Sequence, residues 1–203
     1  MYEHLVRTAV TEIDMRKRQQ LFIIIDMIHN LATQELTRIS SGSLAEGIDL
    51  PGSDIDIMFV FRDVDVIQDE RHIKHPVKRN TFVIETDNDH PGFTRLRLLT
   101  KGYVKINCKA CEYFEETTKG LSLSSTKFVC NMSKMFPGMK ISPHGPCPSD
   151  KDRDLDLAFC FRSKYLPYNT ISWASRYRQQ WPPNSTIDKK KKIWLLVSTN
   201  WTE

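Results

Sequence analysis

The sequence predicts an α+β fold in which one long N-terminal helix packs on a curved, mixed and mostly antiparallel β-sheet. Three observations support this prediction. Apolar residues recur every three to four positions near the N-terminus, an alternating aspartate pattern occurs twice about 100 residues apart, and shorter alternating segments lie between the two copies. A chain of 203 residues is long enough to bury a hydrophobic core, as one domain or as two small ones.

The first element is a helix predicted over residues 3–33. Its apolar positions follow three-to-four spacing with charged residues between them, and no proline or glycine precedes Gly42. These positions are Leu5, Ala9, Ile13, Leu21, Ile25, Ile28 and Ala32. We therefore predict a helical unit over residues 1–35 whose apolar stripe belongs to the core. A sheet-bearing unit over residues 36–203 completes a single domain.

Two copies of one eight-residue pattern each predict a β-strand, at residues 54–61 and 154–161. Both read Asp, apolar, Asp, apolar, variable, Phe, variable, Phe. Successive side chains of a strand point to opposite faces, so the apolar residues of each copy share one face and the aspartates share the other. We predict that the two apolar faces form the core.

Shorter segments complete the prediction. We expect strands at Leu36–Ser40, Thr81–Glu85 and Phe93–Leu99, and a polar stretch over residues 62–78. A helix is predicted from Leu121 to Met135, and the prolines of residues 143–148 predict a rigid loop.

Composition narrows the class of protein. The chain is 40% hydrophobic and 27% charged, with a net charge of +4, which is typical of a globular protein and permits a polyanionic partner. We expect no membrane span, no signal peptide and an intracellular, cytoplasmic location. The five cysteines do not indicate a disulfide framework. Cys108 and Cys111 form the only CxxC pair, and a zinc site there would need further ligands, for which the nearest candidates are Cys130, His144 and Cys147.

The aspartates predict a divalent-metal site. Carboxylates are rarely placed within a sheet unless their charge is compensated, and Mg²⁺ prefers oxygen ligands. Asp54 and Asp56 share one strand face, and either Asp154 or Asp156 supplies a third carboxylate from the other strand. Gly42 and Ser43 offer backbone N–H groups and a hydroxyl suited to a triphosphate. The alternative interpretation is that these aspartates only begin turns or cap backbone groups.

These residues carry a resemblance. Gly42-Ser43, the Asp54-x-Asp56 pair and a later strand aspartate resemble the nucleotidyltransferase signature of the cyclic GMP–AMP synthase and Mab-twenty-one-like family. The segment 40–57 is similar to members of this family from invertebrates, as are residues 91–97, 144–147 and 162–165. The resemblance extends over most of the chain from about residue 36 to residue 200, and it implies a nucleotidyltransferase fold with residues 36–203 as its catalytic lobe.

The resemblance also implies roles. Gly42 and Ser43 would bind the nucleoside triphosphate, and Asp54, Asp56 and Asp156 would hold two Mg²⁺ or Mn²⁺ ions. Asp156 is preferred to Asp154 because the family's third carboxylate stands seven residues before a serine, here Ser163. Active members join ATP and GTP, or similar pairs, into a cyclic dinucleotide that activates an innate-immune receptor. Many of them act only after binding double-stranded RNA or DNA.

Other interpretations stay open. In the family a helical C-terminal lobe follows the sheet, and we expect this chain to lack it and to have a half-open cleft. A non-catalytic nucleotide- or nucleic-acid-binding scaffold and a metal-dependent nuclease are the rival functions, and the oligomeric state is left open. Arg95 and Arg97 either neutralise the charge of a phosphate in the cleft or form structural ion pairs with the aspartates. A basic surface for nucleic acid is the other prediction, formed by Arg176, Arg178, Trp181 and residues 189–192.

Overall fold

The computed structural model describes residues 11–48, 52–73, 75–85, 94–100, 113–144, 147–163, 171, 175–176 and 194–197. In these ranges the chain forms the α+β arrangement that the sequence predicts, with a long helix beside a curled mixed sheet.

Helix α1 spans Glu12–Ala32. It begins after Thr11, whose side-chain oxygen accepts a hydrogen bond from the Asp14 N–H at 3.2 Å, as an N-cap residue does. The predicted helix is confirmed over this range, and residues 3–10 of that prediction lie outside the described residues.

Within the described residues the sheet contains ten strands. They are β1 Leu36–Ser41, β2 Ile55–Ile67, β3 Asn80–Glu85, β4 Arg95–Thr100, β5 Phe114–Thr117, β6 Gly120–Leu123, β7 Ser142–His144, β8 Cys147–Ser149, β9 Leu155–Ser163 and β10 Trp194–Val197. The described part of the chain also forms helix α2 at Gly42–Ala45, helix α3 at Ser125–Ser133 and a 3₁₀ turn at Glu70–His72.

Eight of these strands follow the order β5-β6-β4-β3-β2-β9-β8-β7, while β1 pairs with β2 and β10 pairs with β9. Among the described strands, β2 runs parallel to β3 and β9, and the other pairs are antiparallel.

The two aspartate strands, β2 and β9, are neighbours. They pair in parallel and in matching register, so that Ile57 lies beside Leu157 and Phe59 beside Phe159. The phenylalanine rings stack across the pair, with centroids of Phe59 and Phe159 5.7 Å apart. The prediction that both apolar faces form the core is confirmed.

Helix α3 covers this aromatic face. Phe128 projects from it and meets Phe161 at a centroid distance of 5.4 Å, and Val129 and Met132 are buried beside it. The core therefore lies between α3 and the apolar face of the sheet, which leaves the aspartates on the opposite face.

Three predicted segments differ from the structure. Strand β2 continues to Ile67, well into the stretch expected to be polar, because Val64, Val66 and Ile67 provide buried positions on the second half of the strand. The helix predicted from Leu121 starts only at Ser125, since residues 120–123 pair with β5. The predicted rigid loop at residues 143–148 belongs to the β7–β8 hairpin, in which Ser142 pairs with Ser149.

The prediction that the apolar stripe of α1 belongs to the core is wrong. No residue of α1 is buried, and the stripe residues Leu21 and Ile28 are 54% and 63% exposed. The helix turns a mixed, largely polar stripe towards the sheet instead, formed by the half-buried Met15, Arg18, Phe22, Asp26, His29 and Asn30. The large apolar side chains on its exposed surface are Ile13, Leu21, Ile23, Ile24, Ile25, Met27, Ile28 and Leu31.

Candidate metal site

Three carboxylates converge at the start of β2 and β9. Asp54 directly precedes β2, Asp56 is its second residue, and Asp156 is the second residue of β9. The parallel register places Asp56 directly beside Asp156. Each of the three can offer one oxygen such that all three oxygens lie within 4.8 Å of one another. The described residues contain one group of three or more His, Cys, Asp or Glu side chains that lie close enough together to hold a metal ion, and it is this acidic triad.

Gly42 lies against this acidic triad. Strand β1 ends at Ser41, which pairs with Asp56, and the chain then turns into the short helix α2. Gly42 adopts a positive φ of 75°, and a Cβ atom there would lie 1.9 Å from Asp56 Oδ2. Both the backbone conformation and the lack of space therefore require glycine at this position. The structure thus brings Gly42 and Asp56 together.

Ser43 lies on the same turn and is half-buried. Its hydroxyl donates a hydrogen bond to Ser53 Oγ at 3.3 Å, and its carbonyl accepts one from the Ile48 N–H at 2.8 Å. Ser43 therefore connects the turn after β1 to the residue that precedes Asp54.

The triad is electrostatically crowded. The pKa of Asp56 is raised above its usual value, first by burial and then by the negative charges of Asp54 and Asp156. On the neighbouring strand β8, burial and the charges of Asp156 and Asp56 raise the pKa of Cys147 to about 11. At neutral pH this thiol is protonated, so the ionised groups at the site are carboxylates. A divalent cation would offset the repulsion between them.

Asp156 and Asp154 occupy different environments although the sequence pattern assigns them to one strand face. The buried Ser149 on β8 pairs with Asp156, and its hydroxyl donates a hydrogen bond to Asp156 Oδ1. Asp154 is exposed and precedes β9, where its N–H donates to Asp150 Oδ1 at 2.8 Å. The structure thus places Asp156 in the triad and Asp154 in the bend before the strand.

Asp26 of α1 positions the β1 strand that leads to Gly42, a role that the sequence did not predict. Its carboxylate accepts hydrogen bonds from the Ser40 N–H at 2.7 Å and the Ser40 hydroxyl at 2.8 Å, and it pairs with Arg38 at 2.5 Å. Asn30 adds a second connection, since its side chain exchanges two hydrogen bonds with the backbone of Arg38. An aspartate inside an apolar run was the one available sequence signal.

The remaining predicted residues lie elsewhere. Arg97 pairs with Glu70 and Glu85 at 2.7 Å each, which makes it a structural partner of carboxylates outside the triad, and both partners raise its pKa. Arg95 and Arg176 are exposed. Cys130 lies exposed on α3, whereas Cys147 is half-buried beside the triad. The other predicted zinc and nucleic-acid residues lie outside the part of the chain that the structure describes, namely Cys108, Cys111, the side chain of His144, Arg178, Trp181 and residues 189–192.

The three carboxylates form a candidate site of one class, a divalent-cation site with oxygen ligands, and it lies beside a glycine-serine turn. No model of a known protein family matches the chain, and no curated protein matches its sequence. Among the described helices, none is long and apolar enough to cross a membrane.

Proposed function

We propose that this protein is a metal-dependent nucleotidyltransferase with a nucleotidyltransferase fold. The single observation that supports this most strongly is the convergence of Asp54, Asp56 and Asp156 on adjacent parallel strands, with oxygens within 4.8 Å of one another. The Gly42-Ser43 turn next to them and the resemblance to the cyclic GMP–AMP synthase and Mab-twenty-one-like family add to it.

The residues at the site fit Mg²⁺ or Mn²⁺. Three carboxylates at the start of two neighbouring strands provide the hard oxygen ligands that these ions take. The pKa of Asp56 is raised first by burial and then by the charges of Asp54 and Asp156, and a bound cation would offset the cost of ionising this carboxylate. When bound, the metal would stabilise the negative charge that develops on the phosphates during nucleotidyl transfer.

The protein's own residues have separable roles in this proposal. Gly42 leaves room for the Asp56 carboxylate, since a side chain there would collide with it, and the Gly42 backbone would bind the triphosphate. Ser43 would donate its hydroxyl to the triphosphate in place of its present partner Ser53. Ser149 fixes the orientation of Asp156 by donating to one of its oxygens.

The proposed reaction joins a nucleoside triphosphate to a ribose hydroxyl. The hydroxyl oxygen forms a bond to the α-phosphorus, the bond from that phosphorus to pyrophosphate breaks, and Asp156 accepts the hydroxyl proton. The family resemblance favours ATP and GTP as substrates, a cyclic dinucleotide as product, double-stranded RNA or DNA as activator and a role in innate immunity.

The experiment that tests this function measures product from radiolabelled ATP and GTP with Mg²⁺ or Mn²⁺, with and without double-stranded RNA or DNA. We expect a phosphatase-resistant product that the Asp54→Ala/Asp56→Ala double variant does not form. Asp154→Ala is the matched control, because it removes an exposed carboxylate of the same strand pattern outside the triad, and it should keep its activity.

Three outcomes would contradict the proposal. Equal product from the double variant would exclude the triad as the site. Cleavage of the added nucleic acid without nucleotide transfer would support a nuclease. Absence of product, together with a nucleotide-dependent rise in the unfolding temperature, would support a non-catalytic binding scaffold, since a ligand that binds only the folded state stabilises it.

A further inference from the structure

A cavity of about 650 Å³ lies near the other end of β2, away from the acidic triad. Its lining includes the second half of β2, residues 72, 73 and 76–79 that follow this strand, and single residues of β1, β3 and β9. Asp56 and Arg62 are six residues apart along β2, which corresponds to about 20 Å in an extended strand. Cavities of this volume are typical of sites that hold small organic ligands.

The cavity exists because β2 changes partners. Its first half pairs with β1, in register from Ser41 beside Asp56 to Leu36 beside Phe61, and its second half pairs with β3 from Val64 onwards. Over the same stretch the register with β9 shifts between Phe61 and Val66. The residues in between leave the regular ladder, and the diverging strands open a space at the fork. Register irregularities of this kind occur often next to functional sites.

The walls of the cavity carry an excess of positive charge. Arg62, Lys78, Arg79 and Arg162 line it, against the single carboxylate of Asp65. Asp65 neutralises only Arg79, at a distance of 3.5 Å. Among the described residues, neither Lys78 nor Arg162 forms an ion pair, and both are exposed at the rim. The cavity therefore presents uncompensated cations to a ligand.

Arg62 is the cation held most firmly. It is half-buried, and its guanidinium donates to Thr37 Oγ1 at 2.8 Å and to the Asn30 carbonyl at 3.4 Å. Both acceptors are neutral, so these hydrogen bonds position the side chain without neutralising its positive charge. An arginine fixed in this way needs little reordering to bind an anion, and its planar group suits phosphate oxygens.

The lining also includes apolar residues. Val60 and Ile67 of β2 are buried and line the cavity together with Ile73 and Val77 of the following segment, whereas the side chains of Val64 and Val66 belong to the hydrophobic core. A free inorganic anion would use only the cationic rim. A ligand with both a charged group and an apolar or aromatic body would use the rim and the apolar lining together.

We propose that this cavity is a second ligand site, which binds an organic phosphate of nucleotide size without a metal ion. The phosphate would contact Arg62, Lys78 and Arg162, and the organic body would lie against the valine and isoleucine residues of the apolar lining. The site is separate from the acidic triad in position and opposite to it in charge.

The test is the binding of ATP, used as the probe, measured by calorimetry in EDTA with the Asp54→Ala/Asp56→Ala variant as parent. Under these conditions the triad cannot hold a cation, so the result does not depend on the proposed nucleotidyl transfer. We expect saturable one-to-one binding. Adding Lys78→Glu and Arg162→Glu should weaken it by about tenfold or more, because both charges at the rim are reversed.

Lys119→Glu is the control, a single charge reversal outside the cavity. This exposed lysine lies in the β5–β6 hairpin, and its substitution changes the net charge of the chain without touching the cavity. Its affinity for ATP should stay within about twofold of the parent. All three positions are exposed, and circular dichroism with thermal unfolding would verify that each variant folds. The proposal would be overturned if ATP did not bind the parent, if Lys119→Glu weakened binding as much as the double reversal, or if adenosine bound as tightly as ATP.

Discussion

The β2–β9 strand pair and helix α1 both carry a periodic apolar pattern, yet they use it in opposite ways. The strands bury their apolar face, with Leu157, Phe159 and Phe161 each at most 3% exposed. The helix leaves its apolar stripe at the surface and turns a stripe containing Asp26 and Asn30 towards the sheet. A pattern of apolar residues therefore identifies the element and its faces, whereas the neighbours decide which face is buried.

Hydrogen bonding explains the difference. β2 is paired on both sides, so its backbone groups are satisfied by other strands and its side chains are free to follow the core. Strand β1 pairs with β2 alone among the described strands, and its other edge needs partners. Asn30 and Asp26 supply them by bonding to the backbone of Arg38 and Ser40. The helix presents its polar stripe to the sheet because these bonds require it.

The largest expected effect lies in the strand pair. Phe159→Ala should lower the free energy of unfolding by about 3–5 kcal/mol, because it opens a cavity among stacked rings in the core. Phe159→Leu, which keeps most of the volume, should cost about 1.5 kcal/mol or less. Urea denaturation followed by circular dichroism measures both. An equal and small loss in the two variants would show that this face is not the main core.

The next effect tests the polar stripe of the helix. Asp26→Ala should cost about 2 kcal/mol, because it leaves Arg38 and the Ser40 N–H without their acceptor. Glu12→Ala is the control on the same helix. It removes an acid whose ion pair with Arg16 is more than 70% exposed, and it should cost about 0.5 kcal/mol or less. If the two variants were equally stable, the polar stripe would not be what docks the helix.

The acidic face of the strand pair gives a smaller effect of opposite sign. The pKa of Asp56 is raised in the folded protein, so between the usual value of 3.8 and the raised value the folded state binds more protons than the unfolded state. Stability therefore falls as pH rises through this window, and the cost is fully present above it. In EDTA at neutral pH, Asp56→Asn should therefore unfold at a higher temperature than the parent. The gain in the free energy of unfolding should be smaller than the loss that Asp26→Ala causes.

Below the window, near pH 3, this advantage should vanish because Asp56 of the parent is protonated there. Added Mg²⁺ should stabilise the parent more than the variant. Thermal unfolding across pH, with and without Mg²⁺, measures both effects. An Asp56→Asn protein that is less stable than the parent in EDTA would contradict the crowding of the triad.

The smallest effect is expected on the apolar surface of the helix. Leu31→Ala should change the free energy of unfolding by no more than about 0.5 kcal/mol, because this side chain is 84% exposed and alanine favours helix. Leu157→Ala makes the same chemical change at a position that is 2% exposed, and it should cost about 2–5 kcal/mol. Equal losses in this matched pair would mean that Leu31 is buried and that the helix does not leave this side chain in solvent.

The sequence predicted the parts of the fold in which a pattern repeats without interruption. Both aspartate strands and their core faces were identified because alternation leaves one choice of face. The start of α3 was misplaced because residues 121–123 are apolar enough for either helix or strand, and only their pairing with β5 decides. The β7–β8 hairpin was missed because prolines suppress the strand signal, although Pro148 is buried within β8.

The residues of the candidate site also divide into those that a repeating pattern predicts and those that it does not. Periodicity placed Asp54 and Asp56 on one strand face but could not choose between Asp154 and Asp156, and only the family resemblance favoured the latter. The structural difference between them comes from Ser149 and Asp150, whose contacts depend on tertiary pairing that a linear pattern does not contain. Asp26 escaped notice for the same reason, since its partners lie 12 and 14 residues further along the chain.

The repeated pattern of β2 and β9 would also permit an incorrect register between the two strands. If β9 slid by two residues, every side chain would keep its face, but Asp154 would replace Asp156 beside Asp56. The bend before β9 prevents this, because Asp150 Oδ1 accepts from both the Asp154 and Leu155 N–H groups, at 2.8 and 3.2 Å, and so sets where the strand begins. Among the described residues, Asp150 forms no hydrogen bond with any of the three carboxylates. It nevertheless fixes the residue at which β9 begins. The position of that residue determines which aspartate of β9 lies beside Asp56 and so contributes to the metal site.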